Sequence, residues 1–189
     1  MEKFREPFLE KLLRNIRVKK VKSYLKDVKI ICDVGCGFDA YFLNKIKKSI
    51  ITGYGIDKKV YQKTGDNLIL IKASFFNVLP FQDNYFDAVT MIAVLEHLDD
   101  NNSILKEVNR ILKPNGLLII TTPTPRSKKI LEFFAYKLHF LNCDEIREHT
   151  QYWDKIRITE TLEKLNFVIE EYKYFELRLN SITVARKVN

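Results

Sequence analysis

Two aspartates and two glycines stand where an apolar stretch gives way to a helix-like segment, and their types and spacing suit nucleotide binding. The apolar run 30–32 leads into Asp33, Gly35 and Gly37, and Asp57 follows Gly37 by 20 residues. Glycines at the end of a strand let a ligand lie against bare backbone, and the free N–H groups of a helix start attract an anionic group. These residues therefore predict a nucleotide-type binding turn.

One interpretation of this turn is a dinucleotide site of an NAD enzyme. Residues 35–40 match the pattern G-x-G-x-x-A, and Asp57 stands where a ribose-binding acid belongs. However, the chain has little length left for a region that would hold a substrate against the nicotinamide. The Tyr-x-x-x-Lys pair of short dehydrogenases falls at 41–45, directly after the turn and on the wrong element. Asp33 would also face a pyrophosphate with the wrong sign of charge, whereas it suits a cationic or amino-bearing ligand.

Five short motifs follow one another at natural spacing and favour a different nucleotide. They are DVGCG at 33–37, GYGID at 53–57, LPFQDNYFD at 79–87, VLEHL at 94–98 and RILKPNG at 110–116. In these motifs the sequence resembles the class I S-adenosylmethionine-dependent methyltransferases, and most of all the small-molecule branch that includes quinone-biosynthesis methyltransferases. The resemblance covers about residues 28–122 strongly and the C-terminal part more loosely.

The resemblance implies S-adenosylmethionine (SAM) as the cofactor and suggests which residues hold it. Asp33 would take the methionine ammonium, and Asp57 would accept both ribose hydroxyls. Ser74 stands where an acid is common in the family, so its bond to the adenine amino group would be weaker than usual. The residues implied in cofactor binding are Asp33, Gly35, Cys36, Gly37, Asp57, Ser74, Phe75, Ile92 and Ala93. The thiol of Cys36 itself is expected to be packed rather than nucleophilic.

Methyl transfer from a sulfonium needs an aligned nucleophile and a dry site, and it needs a general base only for some acceptors. Two histidines are candidates for that base. His97 follows the predicted fourth strand, and His149 lies in the polar and aromatic segment 145–153. The resemblance implies that a helical insert at 123–156 forms a lid over the acceptor. Hydrogen bonding of His97 to nearby backbone, and simple packing of the lid aromatics, are the structural alternatives.

The elements that must position these residues alternate along the chain. Strands are predicted at 29–34, 50–56, 68–71, 87–94, 117–121, 167–175 and 181–185, with helices between most of them. This order predicts a single α/β domain over 1–189 with a Rossmann-like, doubly wound, mostly parallel seven-stranded sheet and an antiparallel last strand. Residues 1–28 form a basic helical segment ahead of it. The crossover 58–66 is too short for a full helix and is expected to be a turn or a stub of helix.

Charge is unevenly distributed over the 189 residues. The net charge is +8, and residues 1–29 hold ten Lys/Arg against four Asp/Glu. Such a segment could meet an anionic acceptor, a membrane surface or nucleic acid, but a solvated helix face is the interpretation we favour. Aromatic residues are not interleaved with it as a base-stacking surface would require.

Composition also limits the cellular locations and the kinds of cofactor that we expect. We expect no transmembrane segment, because the longest apolar run, around 88–95, suits a buried strand, and no signal peptide. Cys32, Cys36 and Cys143 are interpreted as free thiols, which predicts a reducing, cytoplasmic setting. No histidine lies at ligand spacing to a cysteine, so we expect no metal site.

Three functions remain open at this point. The first is a SAM-dependent methyltransferase that acts on a small molecule or on a lipid- or sugar-linked metabolite. The second is a cofactor-binding regulatory module that transfers no methyl group, which the short crossover and Ser74 leave open. The third is a nucleic-acid methyltransferase, which the basic N-terminus favours but which lacks an Asn-Pro-Pro-Tyr-like motif after the fourth strand. The sequence leaves the acceptor atom and the oligomeric state undetermined.

Overall fold

One mixed sheet of eight strands runs through the computed structural model, which describes residues 8–73, 78–127 and 152–188. From edge to edge the strand order is β3-β4-β2-β1-β5-β6-β8-β7. The strands are β1 (Ile30–Val34), β2 (Thr52–Asp57), β3 (Lys63–Gly65), β4 (Leu68–Lys72), β5 (Phe86–Ile92), β6 (Leu112–Pro123), β7 (Phe167–Phe175) and β8 (Asn180–Lys187).

The directions of the strands confirm a mostly parallel sheet with an antiparallel last strand. β4, β2, β1, β5 and β6 are parallel to one another, whereas β8 inserts antiparallel between β6 and β7. The prediction of seven strands was one short. The crossover 58–66 contains β3, which pairs antiparallel with β4, in place of the expected turn or stub of helix. Asp66 turns this hairpin with a left-handed φ of 52°.

Four α-helices of the described residues cover the sheet: α1 (Phe8–Lys22), α2 (Tyr41–Ile46), α3 (Asn101–Ile111) and α4 (Lys155–Lys164). Asp100 caps α3 and Asp154 caps α4, since each carboxylate accepts a hydrogen bond from a backbone N–H of the first turn. Asp39 does not cap α2, although its residue type would suit that role. The N-cap position of α2 is Ala40, with no side-chain cap, and Asp39 instead forms an ion pair with Arg14 of α1 at 3.4 Å.

The period-two alternation of the strands divides the interior into two cores. α1 and α2 pack on one face of the sheet, and α3 and α4 pack on the other. The first face buries Ile31, Ala88, Ile119, Ile182 and Val184, and the second buries Cys32, Val89, Leu118, Ile120 and Ala185. Helices therefore lie on both faces, as a doubly wound sheet requires.

The carboxyl ends of β1, β2 and β5 meet at one edge of the sheet, called the carboxyl edge below. The N-terminal half of α1 reaches this edge, because the Asn15 side chain bonds the Tyr41 hydroxyl at 2.5 Å, at the start of α2. In open α/β sheets, ligands bind at this edge, where neighbouring connections diverge to opposite faces. Most of the predicted lid, 123–156, lies outside the described residues. Among the described residues, no helix is long and apolar enough to cross a membrane.

Candidate cofactor site at the carboxyl edge

Asp33 is a buried carboxyl group at the carboxyl end of β1, with only 2% of its surface exposed. Its Oδ1 accepts a hydrogen bond from the Thr90 hydroxyl on β5 at 2.6 Å. Burial raises the pKa of Asp33 to about 7, the bond from Thr90 opposes this, and the negative charge of Asp57 adds to it. A buried acid of this kind is stabilised by a cation placed beside it.

Asp57 ends β2 and faces the glycine turn. Its Oδ2 accepts a hydrogen bond from the Gly37 N–H at 3.0 Å, and its Oδ1 accepts one from the Lys59 N–H at 2.7 Å. Each carboxylate oxygen offers about two lone-pair sites, so each can accept one further hydrogen bond. The two backbone bonds fix the orientation of the carboxylate, which can still take a pair of hydroxyl groups.

The glycine turn needs both glycines, for different reasons. Gly35 and Gly37 have left-handed φ values of 79° and 72°. A Cβ built on Gly35 would lie 2.3 Å from Cγ2 of Val94, whereas a Cβ on Gly37 would meet no atom within 4 Å. Gly35 therefore allows the loop to pack against Val94 after β5, and Gly37 faces open space on the side where a side chain would stand.

Cys36 turns its side chain into the core. Its thiol is buried, and burial raises the pKa well above its ordinary value. The Sγ atom lies where a Cβ on Gly55 would approach within 2.9 Å. The Cys36 N–H donates to the Ile56 carbonyl at 3.3 Å. The packing of this thiol agrees with the sequence interpretation, and a cofactor contact by Cys36, which would use its backbone, stays a prediction.

Ile92 and Ala93 stand where β5 ends. Ala93 has a φ of 56°, in the left-handed region that L-residues rarely occupy. Its N–H donates to the carbonyl of Thr121 at 3.0 Å and lies 3.2 Å from the Thr121 hydroxyl. Backbone strain of this kind is concentrated at functional sites. The turn holds these two residues at the carboxyl edge beside Asp33.

The turn after Ala93 brings a buried acid and a histidine to the same edge. Glu96 is 1% exposed, and burial raises its pKa to about 7, while the positive charge of Arg17 lowers it. Arg17 also acts on Glu176, in the turn between β7 and β8. His97 is half-buried next to Glu96, and its backbone N–H donates to the Val94 carbonyl at 3.0 Å. A catalytic role of His97 stays a prediction.

The structure brings together Asp33, Gly37, Asp57 and the end of β5, but it does not describe every predicted site residue. Ser74, Phe75 and His149 lie outside the described residues. Sequence reasoning missed Thr90 and Arg17. Thr90 could have been noticed as the one polar residue in the run 88–92, whereas nothing in the basic pattern of α1 distinguishes Arg17 from its neighbours.

These features together suit a nucleoside that carries a positive charge. The buried carboxyl group of Asp33 favours a cation, the Asp57 carboxylate can accept ribose hydroxyls, and the backbone at Gly37 is open to a ligand. SAM has this combination of an ammonium, a sulfonium and a ribose. No group of three or more His, Cys, Asp or Glu among the described residues could hold a metal ion.

The fold and this site define a Rossmann-like protein that binds SAM. The family model described as "Methyltransferase domain" matches residues 1–172, and the chain belongs to this family. This match confirms the resemblance inferred from the five motifs and SAM as the cofactor.

Curated relatives are similar in sequence to part of this chain. The "Ubiquinone/menaquinone biosynthesis C-methyltransferase UbiE" of Desulfotalea psychrophila is 37% identical over 101 residues, which are 53% of this chain and 35% of the relative. A "Demethylmenaquinone methyltransferase" of Staphylococcus saprophyticus is 39% identical over 82 residues, 42% of this chain and 34% of the relative. The aligned part thus spans about a third of the length of these relatives.

Solved structures share the fold. A SAM-dependent methyltransferase of Methanosarcina mazei has a TM-score of 0.64 at 22% identity, with 89% of this chain and 97% of that one covered. A putative methyltransferase of Haloferax volcanii, solved in complex with the Trm112 methyltransferase activator, has a TM-score of 0.75 at 17% identity, with 95% and 93% covered.

Proposed function

We propose that this chain transfers the methyl group of SAM to a small-molecule acceptor of the quinone type. The observation that carries the proposal is the pair of carboxyl groups at 33 and 57, which flank a glycine turn with open space above Gly37. The quinone type comes from the names of the curated relatives, which match about half of the chain or less.

On the cofactor side, the residues of this chain would bind and orient SAM. Asp33 would accept the ammonium of the methionine part, and Asp57 would hold both ribose hydroxyls. Ser74 and Phe75 would contact the adenine. Bound SAM supplies an electrophilic methyl group with a sulfide as leaving group. Positioning of two reactants alone can be worth roughly 7–11 kcal/mol of the barrier, so little further chemistry is required of the protein.

On the acceptor side, a ring carbon would form the new bond to the methyl carbon while the methyl–sulfur bond breaks. The electron pair of that bond stays on sulfur, and the ring carbon then loses its proton. An electron-rich hydroquinone can act as such a nucleophile, whereas the oxidised quinone cannot. Glu96 and His97, next to the end of β5, and His149 in the predicted lid are the candidates to accept the proton.

Calorimetry and a turnover assay test this function in two steps. SAM should bind to the purified chain, and a 1,4-naphthoquinol with an unsubstituted ring carbon should be methylated, whereas the same compound in its oxidised form should not. The absence of SAM binding would refute the whole proposal. Methylation of other small molecules but of no quinol would refute the acceptor class alone.

The regulatory alternative makes a different prediction in the same experiment. A module that only senses the cofactor would bind SAM with a defined stoichiometry and would release no S-adenosylhomocysteine with any member of a broad metabolite panel. The match of residues 1–172 to a methyltransferase family supports methyl transfer over this alternative.

A further inference from the structure

Two arginines lie on the side of α1 that is turned towards the rest of the protein. Arg14 and Arg17 stand three positions apart, so they are neighbours on one face of the helix, and the buried Val18 and Val21 continue that face into the core. Both arginines are half-buried. Arginine is seldom buried unless its charge is paired, so this pair of cations needs partners at the carboxyl edge.

Arg14 is held against the glycine turn. Its Nη1 donates to Oδ2 of Asp39 at 3.4 Å, and its guanidinium carbon lies 3.9 Å from the centre of the Tyr41 ring. Asp39 follows Gly37 by two residues, and Tyr41 begins α2. The inward face of α1 therefore contacts the end of the turn that leads into α2.

Arg17 lies near the other side of the same turn. Gly35 packs so closely on Val94, after β5, that a Cβ on this glycine would approach Cγ2 of the valine to 2.3 Å. The positive charge of Arg17 acts on Glu96, two residues beyond Val94. Arg17 is also displaced from Arg14 by only about 4.5 Å along the helix axis. The inward face of α1 thus passes along the glycine turn from one side to the other.

The guanidinium of Arg17 has an unused donor in the interior. Its Nε atom is buried and has no hydrogen-bond partner in the part of the chain that the structure describes. The acids whose charge it influences are Glu96 and Glu176, and burial raises the pKa of both, which weakens the negative charge beside Arg17. A buried N–H without an acceptor is costly, so this donor points to an acceptor that a ligand brings.

The cofactor carries an acceptor of the right charge. SAM ends in an α-amino acid, so a carboxylate stands beside the ammonium that Asp33 would take. None of the residues implied in cofactor binding from the sequence is positively charged, which leaves this carboxylate without a counter-charge. A guanidinium can bind a carboxylate through two parallel hydrogen bonds, and charge-assisted bonds of this kind are the strong ones.

We propose that Arg17 binds the carboxylate of the methionine part of SAM. Asp33 and Arg17 would then recognise the two opposite charges of one α-amino acid, and Arg14 would keep α1 in place through Asp39. The inference rests on SAM as the cofactor of the proposed function and does not depend on the acceptor. It also gives a role to the basic segment at the N-terminus, one of whose arginines becomes part of the cofactor site.

Calorimetry with SAM and with decarboxylated SAM, in which a hydrogen replaces the carboxylate, tests this proposal near neutral pH. Both ligands keep the ammonium, the sulfonium and the nucleoside, so the ratio of their affinities measures the effect of the carboxylate. The wild-type chain should bind SAM roughly 10- to 150-fold more tightly, the range for a hydrogen bond to a charged group. Arg17→Gln should lose this preference and bind the two ligands equally, because its affinity for SAM falls and its affinity for decarboxylated SAM does not.

Two further variants separate this role from a structural one. Arg17→Lys keeps the charge but cannot form the two parallel bonds, so it should lower the ratio without removing it. Arg14→Gln removes a guanidinium one helical turn away and should keep the wild-type ratio. An unchanged affinity of Arg17→Gln for decarboxylated SAM shows that the variant is folded.

Four results would overturn the inference. They are equal binding of both ligands by the wild-type chain, equal weakening of both ligands by Arg17→Gln, an unchanged ratio in Arg17→Lys, and loss of the preference in Arg14→Gln. If the wild-type chain bound neither ligand, the proposed function would be refuted as well, whereas a failed methylation assay with bound SAM would concern the acceptor alone.

Discussion

The ionisation of Asp33 should make the affinity for the cofactor depend on pH. Only the carboxylate can pair with the methionine ammonium, and burial raises the pKa of Asp33 to about 7 in the protein without ligand. Below pH 7 each pH unit should therefore cost about 1.4 kcal/mol, or tenfold in affinity. Between pH 7 and pH 5 the binding constant should fall about fiftyfold, because the ionised fraction of Asp33 falls from about one half to about 1%. Above about pH 8 it should fall again, because an α-amino group loses its proton there.

Asp33→Asn isolates this effect. The variant keeps an oxygen that can accept the bond from the Thr90 hydroxyl but cannot carry a charge. It loses a hydrogen bond to a charged group, worth about 1.5–3 kcal/mol, so binding at pH 7.5 should weaken roughly 10- to 150-fold. The fall in affinity below pH 7 should also disappear, because the remaining affinity no longer depends on the ionisation of residue 33.

Calorimetry with S-adenosylhomocysteine over this pH range measures both effects without an acceptor. Asp39→Asn is the matched control, since Asp39 lies in the same turn but forms its ion pair with Arg14. It should keep the wild-type pH profile. This prediction is refuted if the wild-type affinity is constant between pH 5 and pH 7, or if the affinity of the Asp33→Asn variant still falls below pH 7.

Three further outcomes follow from the same contacts. Asp33→Asn should stabilise the cofactor-free protein at pH 8 by up to about 4 kcal/mol. Folding raises the pKa of Asp33 from 3.8 to about 7, so its ionisation destabilises the folded wild-type protein as the pH rises through this range. Denaturant unfolding at pH 4 and pH 8 tests this, and a gain in stability at pH 4 alone would contradict it. Gly37→Ala should cost only about 1 kcal/mol of stability yet weaken SAM binding, whereas Gly35→Ala, which clashes with Val94, should destabilise the fold; equal unfolding midpoints would argue against the open space over Gly37. Arg110→Ala should cost about 2–4 kcal/mol in thermal unfolding, since the guanidinium binds Asp83, Glu107 and the carbonyls of Leu79 and Phe81, and Arg110→Lys should restore little of it.

The central strands and the residues at their carboxyl ends could be predicted from sequence, but the order of the strands across the sheet was not. Buried strands of a parallel sheet are apolar along most of their length, and here β1 is followed by Gly35 and β2 ends at Asp57. Asp33 and Asp57 could be placed because the end of a strand fixes the position of the residue that follows it. The same logic predicted β7 to its last residue, and the short link to β8 predicted their antiparallel pairing.

Other features depend on contacts between distant segments and could not be predicted. The short run 63–65 carries no apolar pattern, and it becomes a strand only because β4 offers it an edge. β6 begins at Leu112, directly after α3, because Phe86 pairs with it across the sheet; the motif 110–116 alone indicated only the end of a helix. Asp39 has the character of a helix cap, but Arg14 competes for it. The proximity of Arg17 to Glu96 likewise requires the tertiary structure.

The β3 hairpin affects how readily copies of this chain can associate through one edge of the sheet. Unpaired edges of a sheet are templates on which chains can aggregate, and a long, flat edge is the most dangerous. In this protein the exposed flank of β4 is covered by a strand of only three residues, which contains a lysine and a glycine. So short an edge offers few free N–H and C=O groups to a neighbour. At this edge of the sheet, the short hairpin that stands in place of a crossover helix therefore disfavours edge-to-edge aggregation.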